Sequence, residues 1–90
     1  MQISFDPAKR DATLANRGLD FADARDVFAG PVFERSDNRF DYGETRHITI
    51  GQLRGRMVVL VWTLRGSVRH IISMRKANDR EQARYTSRLG

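Results

Sequence analysis

The 90-residue sequence has no cysteine, which excludes a disulfide framework and a thiolate zinc site. With two histidines besides, it points to no metal site and calls for no cofactor. No apolar run approaches the ~20 residues that cross a bilayer. Met1-Gln2-Ile3-Ser4 lacks the basic stretch and apolar core of an export signal, so a cytoplasmic location without a membrane partner is expected. Repeats, low-complexity tracts and Pro/Gly/Ser-rich linkers are missing too. Residues 1–90 are therefore read as one domain with a small core, too small for a large cofactor-binding architecture.

Acidic residues are scarce in the second half. Residues 46–90 carry ten basic and two acidic side chains (net +8), against six and nine (net −3) in residues 1–45, for a total of +5. Fourteen of the sixteen basic residues are Arg, whose planar fork matches phosphate and carboxylate geometry. Such a surplus fits nucleic acid or an acidic protein partner, and its bland alternative is a solvated basic surface.

Locally, Asp6 and Pro7 form a helix start and Gly18 a stop, with Ala8, Ala12, Leu14 and Ala15 giving a weak apolar face. Asp20 is placed to cap a second helix, in which Phe21, Ala24, Val27 and Phe28 recur at helical spacing before Gly30-Pro31. The period then changes to two. Val32–Arg35, Arg46–Leu53, Met57–Leu64 and Val68–Arg75 read as strands, with turns at Arg54-Gly55 and Arg65-Gly66-Ser67. Asn78 to Leu89 reads as a final helix, opened by a capping box of Asn78 and Glu81. The predicted fold is α+β: two N-terminal helices packed on one face of an antiparallel sheet of about four strands, the other face more open, then a C-terminal helix.

Three stretches resemble the BrnT toxins of type II toxin–antitoxin systems, which have a RelE-like fold. They are Phe5-Asp6-Pro7-Ala8-Lys9 through Gly18-Leu19-Asp20-Phe21 to Ala24 and Val27-Phe28; Gly43-Glu44-Thr45-Arg46 leading into Ile50-Gly51; and Arg69 through Ala77, with Glu81 and Tyr85. The chain departs from the family pattern at Arg17, where family members often have His, at Thr13, where Asn is common, and at Met74, where a small residue is commoner. The resemblance implies a ribonuclease toxin that inhibits translation by metal-independent RNA cleavage. It also implies a BrnA-like ribbon-helix-helix antitoxin in a 2:2 heterotetramer, with operator DNA met only through that antitoxin. The departures at Thr13 and Arg17 give substance to an alternative, a catalytically lapsed toxin that serves as the antitoxin's non-enzymatic partner in operon autoregulation. A general nucleic-acid-binding module fits less well, because the aromatics lie mostly in apolar contexts.

RelE-type cleavage needs cations around a phosphate and a proton-transfer group. Strand parity places Arg69 and Arg75 together on the open face as phosphate ligands; their structural reading is an ion pair with Glu81 or an N-terminal carboxylate. Lys76 is a candidate phosphate ligand or general acid, and His47 a candidate base opposite in parity to Ile48 and Ile50. His70 shares parity with Ile72 and Met74 and reads as a buried or edge histidine. Glu81 and Tyr85 are candidates for proton transfer or stacking, against roles in the cap and in anchoring the helix. Arg46, with the Arg80, Arg84 and Arg88 stripe, is assigned to RNA or antitoxin binding, against a solvated helix face.

Overall fold

The start signal at Asp6 acts as the sequence suggests: its carboxylate accepts from the Ala8 N–H at 2.9 Å, Pro7 takes the first helical position, and α1 runs Pro7–Arg17. Gly18 ends it in the left-handed conformation, at φ 69°. The computed structural model describes residues 2–89. The second helical stretch divides in two. Asp20 caps a single 3-10 turn, Phe21–Asp23, and α2 follows at Ala24–Ala29. The fork of Arg10 clamps Asp20 at 2.9 and 2.7 Å, tying α1 to that cap.

The chain forms five strands: β1 Ile3–Phe5, β2 Phe33–Asp37, β3 Arg46–Leu53, β4 Arg56–Arg65 and β5 Val68–Lys76. They form one sheet in the order β1-β5-β4-β3-β2. The expectation of about four antiparallel strands is corrected on two points. There are five strands, and β1 runs parallel to β5, with Ile3, Ser4 and Phe5 opposite Arg69, His70 and Ile71. Three residues that run straight into a helix cap show no period of their own. Their pairing partner also lies at the other end of the chain, which leaves no local signal. The final helix is shorter than read: α3 is Asp79–Tyr85, followed by a 3-10 turn at Thr86–Arg88.

Each face of the sheet carries a core. On one, Phe21, Ala24 and Val27 from the α2 region bury Val58, Leu60, Trp62, Ile71 and Met74. Side chains such as Phe21, Leu60 and Ile71 are all but fully buried, each stabilising the fold by about 1.5–3 kcal/mol. The approach of α2 is close because β3 offers Gly51, where a Cβ would stand 2.7 Å from Val27 Cγ1. The other face is less open than predicted: Ile48, Ile50, Met57 and Val59 pack against Ala77, Tyr85 and Leu89 from the α3 region.

One irregularity decides the placement of side chains on β5. Val61 pairs with Ser73 but Trp62 pairs with Ile71, so Ile72 is an extra residue, a β-bulge. Parity reverses across it. Ile71 and Met74 both enter the α2-side core, and His70, Ser73 and Arg75 share the α3 side through their partners Thr63, Val61 and Val59. The grouping of His70 with Met74 by simple alternation is thereby corrected.

Candidate functional site

Arg75 lies in β5 just beyond the bulge, and its side chain meets Glu81 in the first turn of α3. Its two terminal nitrogens donate to the two Glu81 oxygens at 2.7 and 2.8 Å. Glu81 also accepts from the Asn78 N–H at 2.9 Å, while Asn78 Oδ1 accepts from the Glu81 N–H at 2.8 Å. The capping box and the guanidinium clamp therefore share one carboxylate. Arg75 first, and the Asn78 N–H with it, hold that carboxyl down at about 2, against a smaller opposing effect of burial. Near neutral pH Glu81 orients Arg75 and accepts no proton.

Around this pair lies a cavity of about 240 Å³ with an apolar floor of Ile48, Ile50, Val59 and Val61. Its walls are Arg75, Arg80 and Arg84, with Arg35 from β2 and Arg39 from the loop beyond it. Asp37, buried at 4% exposure, accepts from Arg39 at 2.8 and 2.9 Å and from the Tyr42 hydroxyl at 3.3 Å. Arg39 is the main reason that its carboxyl is lowered to about 2. Arg35, Arg80 and Arg84 make no ion pair among the described residues. Tyr85 is 5% exposed and lies 5.1 Å from the Phe33 ring, so its ring anchors α3 to the sheet at the cavity wall.

The structure thus brings Arg75, Glu81, Tyr85, Arg80 and Arg84 together and separates the other candidates from them. Arg69 was expected beside Arg75, and the bulge puts it on the opposite face. There its guanidinium lies 4.1 Å from the Phe28 ring and 4.7 Å from the Trp62 ring, with Arg25, Ile3 and Ala29 beside it. His47 stacks on Trp62 from the neighbouring strand at 4.5 Å, half-buried on that same α2 side. Lys76 pairs with Val58 at the exposed end of β5 and does not line the arginine cavity. Arg88 covers Phe33 at 4.9 Å, outside the cavity. Arg46 lies over Tyr42 at 3.8 Å, with Glu44 3.5 Å from its Nε, and borders a different cavity together with Arg65 and His70.

Three lining residues escaped the sequence reading. Arg35 was legible in principle, because it shares the parity of Phe33 on one strand, and it stands opposite Ile48 across the ladder. Arg39 lies between the predicted strands Val32–Arg35 and Arg46–Leu53, with no pattern to direct it. Ser73 lies two residues from Arg75 on the same side of the sheet, where simple alternation along β5 also places it. Arg17, at one of the departures from the family pattern, donates to the Met74 carbonyl at 2.9 Å and so fastens α1 along the β5 edge that β1 leaves unpaired. Among the described residues, no three or more His, Asp or Glu side chains form a metal-binding group, and no helix is long and apolar enough to cross a membrane.

Two comparisons bear on these features. A family model described as the ribonuclease toxin BrnT of type II toxin–antitoxin systems matches residues 5–81, which include β2 to β5, the last residue of β1 and the Arg75–Glu81 pair. A search of curated proteins finds no match.

Proposed function

The chain belongs to the BrnT family of ribonuclease toxins of type II toxin–antitoxin systems, and from that premise we propose that it binds and cleaves RNA on the α3 side of its sheet. The observation that carries this reading is the convergence of five arginines from β2, the following loop, β5 and α3 on one cavity. The carboxylate lining that cavity is already held by Arg75. Arg35, Arg80 and Arg84 are free to receive backbone phosphates, and Arg75 is pre-oriented to do so. Guanidiniums stay protonated throughout the physiological range, so they stabilise negative charge on phosphate without a metal ion. A RelE-like architecture and metal-independent chemistry belong to this proposal.

The antitoxin is assigned to the same surface. A BrnA-like ribbon-helix-helix partner bearing carboxylates would compete with RNA for these arginines, in a 2:2 assembly that reaches operator DNA through its antitoxin part. Induced expression of the toxin by itself tests the proposal: growth should arrest, Arg75→Ala should relieve the arrest while keeping the protein folded, and co-expressed antitoxin should do the same.

One observation favours the non-enzymatic reading. No histidine lines the arginine cavity, and its carboxylate is held too low to accept a proton. Normal growth on induction, with RNA intact and antitoxin still bound, would establish that reading in place of the first.

A further inference from the structure

The missing proton acceptor has a candidate on the same side of the sheet. The bulge that turns Ser73 and Arg75 toward α3 turns His70 there as well. Their partners on β4, Thr63 and Val59, are four residues apart, placing His70 and Arg75 on one face, about 13 Å from each other. That separation suits different phosphates of one strand.

His70 borders a cavity of about 460 Å³ with Lys9 from α1, Arg46 from β3 and Arg65 from β4. Asp6 and Glu44 also face it, and both are engaged: Asp6 caps α1, and Glu44 lies 3.5 Å from Arg46 Nε. A smaller hollow of about 190 Å³ between α1 and β5 separates this cavity from the arginine cavity. It shares Ile72 with the first and Ser73 with the second, so the three follow one another along β5 and are taken together as a trough.

His70 Nδ1 lies 2.9 Å from the Ser4 hydroxyl, and Nε2 has no hydrogen-bond partner among the described residues. Burial, helped by Arg65 and Lys9, holds the ring below the usual histidine value against the opposite pull of Glu44 and Asp6. The imidazole is therefore neutral near pH 7 and has a lone pair to offer.

We propose that the trough is a single RNA track in which His70, oriented by Ser4, is the general base at a phosphate held by Lys9, Arg46 and Arg65, while the Arg75 cavity grips the strand further along. This assignment rests on the ribonuclease reading above and supplies the group that reading lacks. Nδ1–H donates to Ser4 Oγ, and Nε2 takes the proton of the 2′-hydroxyl as its oxygen bonds to phosphorus. The P–O5′ bond breaks and the departing oxygen takes a proton from water. The products are a 2′,3′-cyclic phosphate and a 5′-hydroxyl, and His70 then returns its proton to solvent.

His70→Gln and Ser4→Ala are to be assayed beside the wild type on a single-stranded oligoribonucleotide and on messenger RNA in translating ribosomes. Affinity is measured with an uncleavable 2′-O-methyl RNA. His70→Gln should slow cleavage ~100-fold or more, flatten the fall in rate at acid pH and leave affinity within about threefold. Ser4→Ala should cost about tenfold in rate through the orientation of the ring. Cleavage by His70→Gln at the wild-type rate overturns the assignment and leaves the ribonuclease reading standing. Wild-type protein that neither binds nor cleaves RNA overturns both. Should His70→Gln fail to fold, the wild-type imidazole signals followed by NMR during titration with 2′-O-methyl RNA decide the matter: a shift supports the assignment and unchanged signals overturn it.

Discussion

Glu81 joins helix capping to the orientation of Arg75, and both roles depend on its charge. Its carboxyl stands at 4.5 without partners and at about 2 in the fold. A depressed folded value means that the contribution is fully present above pH 4.5 and is lost as pH falls through 2. Asp37, lowered from 3.8 to about 2 by Arg39, acts in nearly the same window. Thermal melts across this range should therefore show the wild type losing stability below pH 4.5, with Glu81→Gln and Asp37→Asn each flattening the loss. For Glu81 the effect is modest, about 1 kcal/mol or less, because the pair is partly solvated. Acid curves for Glu81→Gln that superimpose on the wild type would contradict the assignment. The sequence already contained both readings of Glu81, cap and ion pair, and the structure makes them one. It could not reveal that His70, rather than Arg69, faces the side of Arg75, because alternation counted along one strand cannot register an extra residue in the pairing.

At the scale of elements, what was legible was local. Asp6 with Pro7, Asp20, the Asn78–Glu81 capping box and the Arg54-Gly55 turn all bond or turn within a few residues of themselves, and the residue types announce them. The parallel pairing of β1 and the bulge in β5 depend on distant strands, so neither had a signature in its own segment. The seating of α2 on β3 is likewise tertiary and turns on the hydrogen at Gly51. Gly51→Ala would place a methyl group 2.7 Å from Val27 Cγ1 and 3.1 Å from Val32 Cγ1. It should destabilise the domain by about 1–3 kcal/mol in urea unfolding. Combining it with Val27→Ala should cost less than the sum of the two single changes, since the second makes room for the first. Strict additivity would show that the close approach of α2 is not the cause.

Across the whole molecule, the opposed charges of the two halves of the chain become a spatial arrangement. The strands and final helix of the basic half build most of the trough, and the α3 side gathers Arg75, Arg80 and Arg84 with Arg35 and Arg39 from the acidic half. RNA affinity should accordingly fall with salt. The three arginines of the Arg75 cavity that lack ion pairs by themselves imply a slope of log K against log salt of about −2, at roughly −0.7 per phosphate on a single strand; the cations of the His70 cavity steepen it further, and Arg80→Ala should reduce it by about one such step. A salt-independent affinity would point to a solvated surface and not a phosphate track. The opposite face, where Arg69 lies over Phe28 and Trp62, should matter for packing alone. The most direct measurement is cleavage of RNA by purified protein in the presence of EDTA, comparing wild type, Arg75→Ala and Arg69→Ala. The expected result is metal-free cleavage by the wild type and by Arg69→Ala, with Arg75→Ala reduced by ~100-fold through misplacement of the strand it grips. Intact RNA with the wild type, or equal cleavage by Arg75→Ala, would contradict the placement of a ribonuclease site on the α3 side of the sheet.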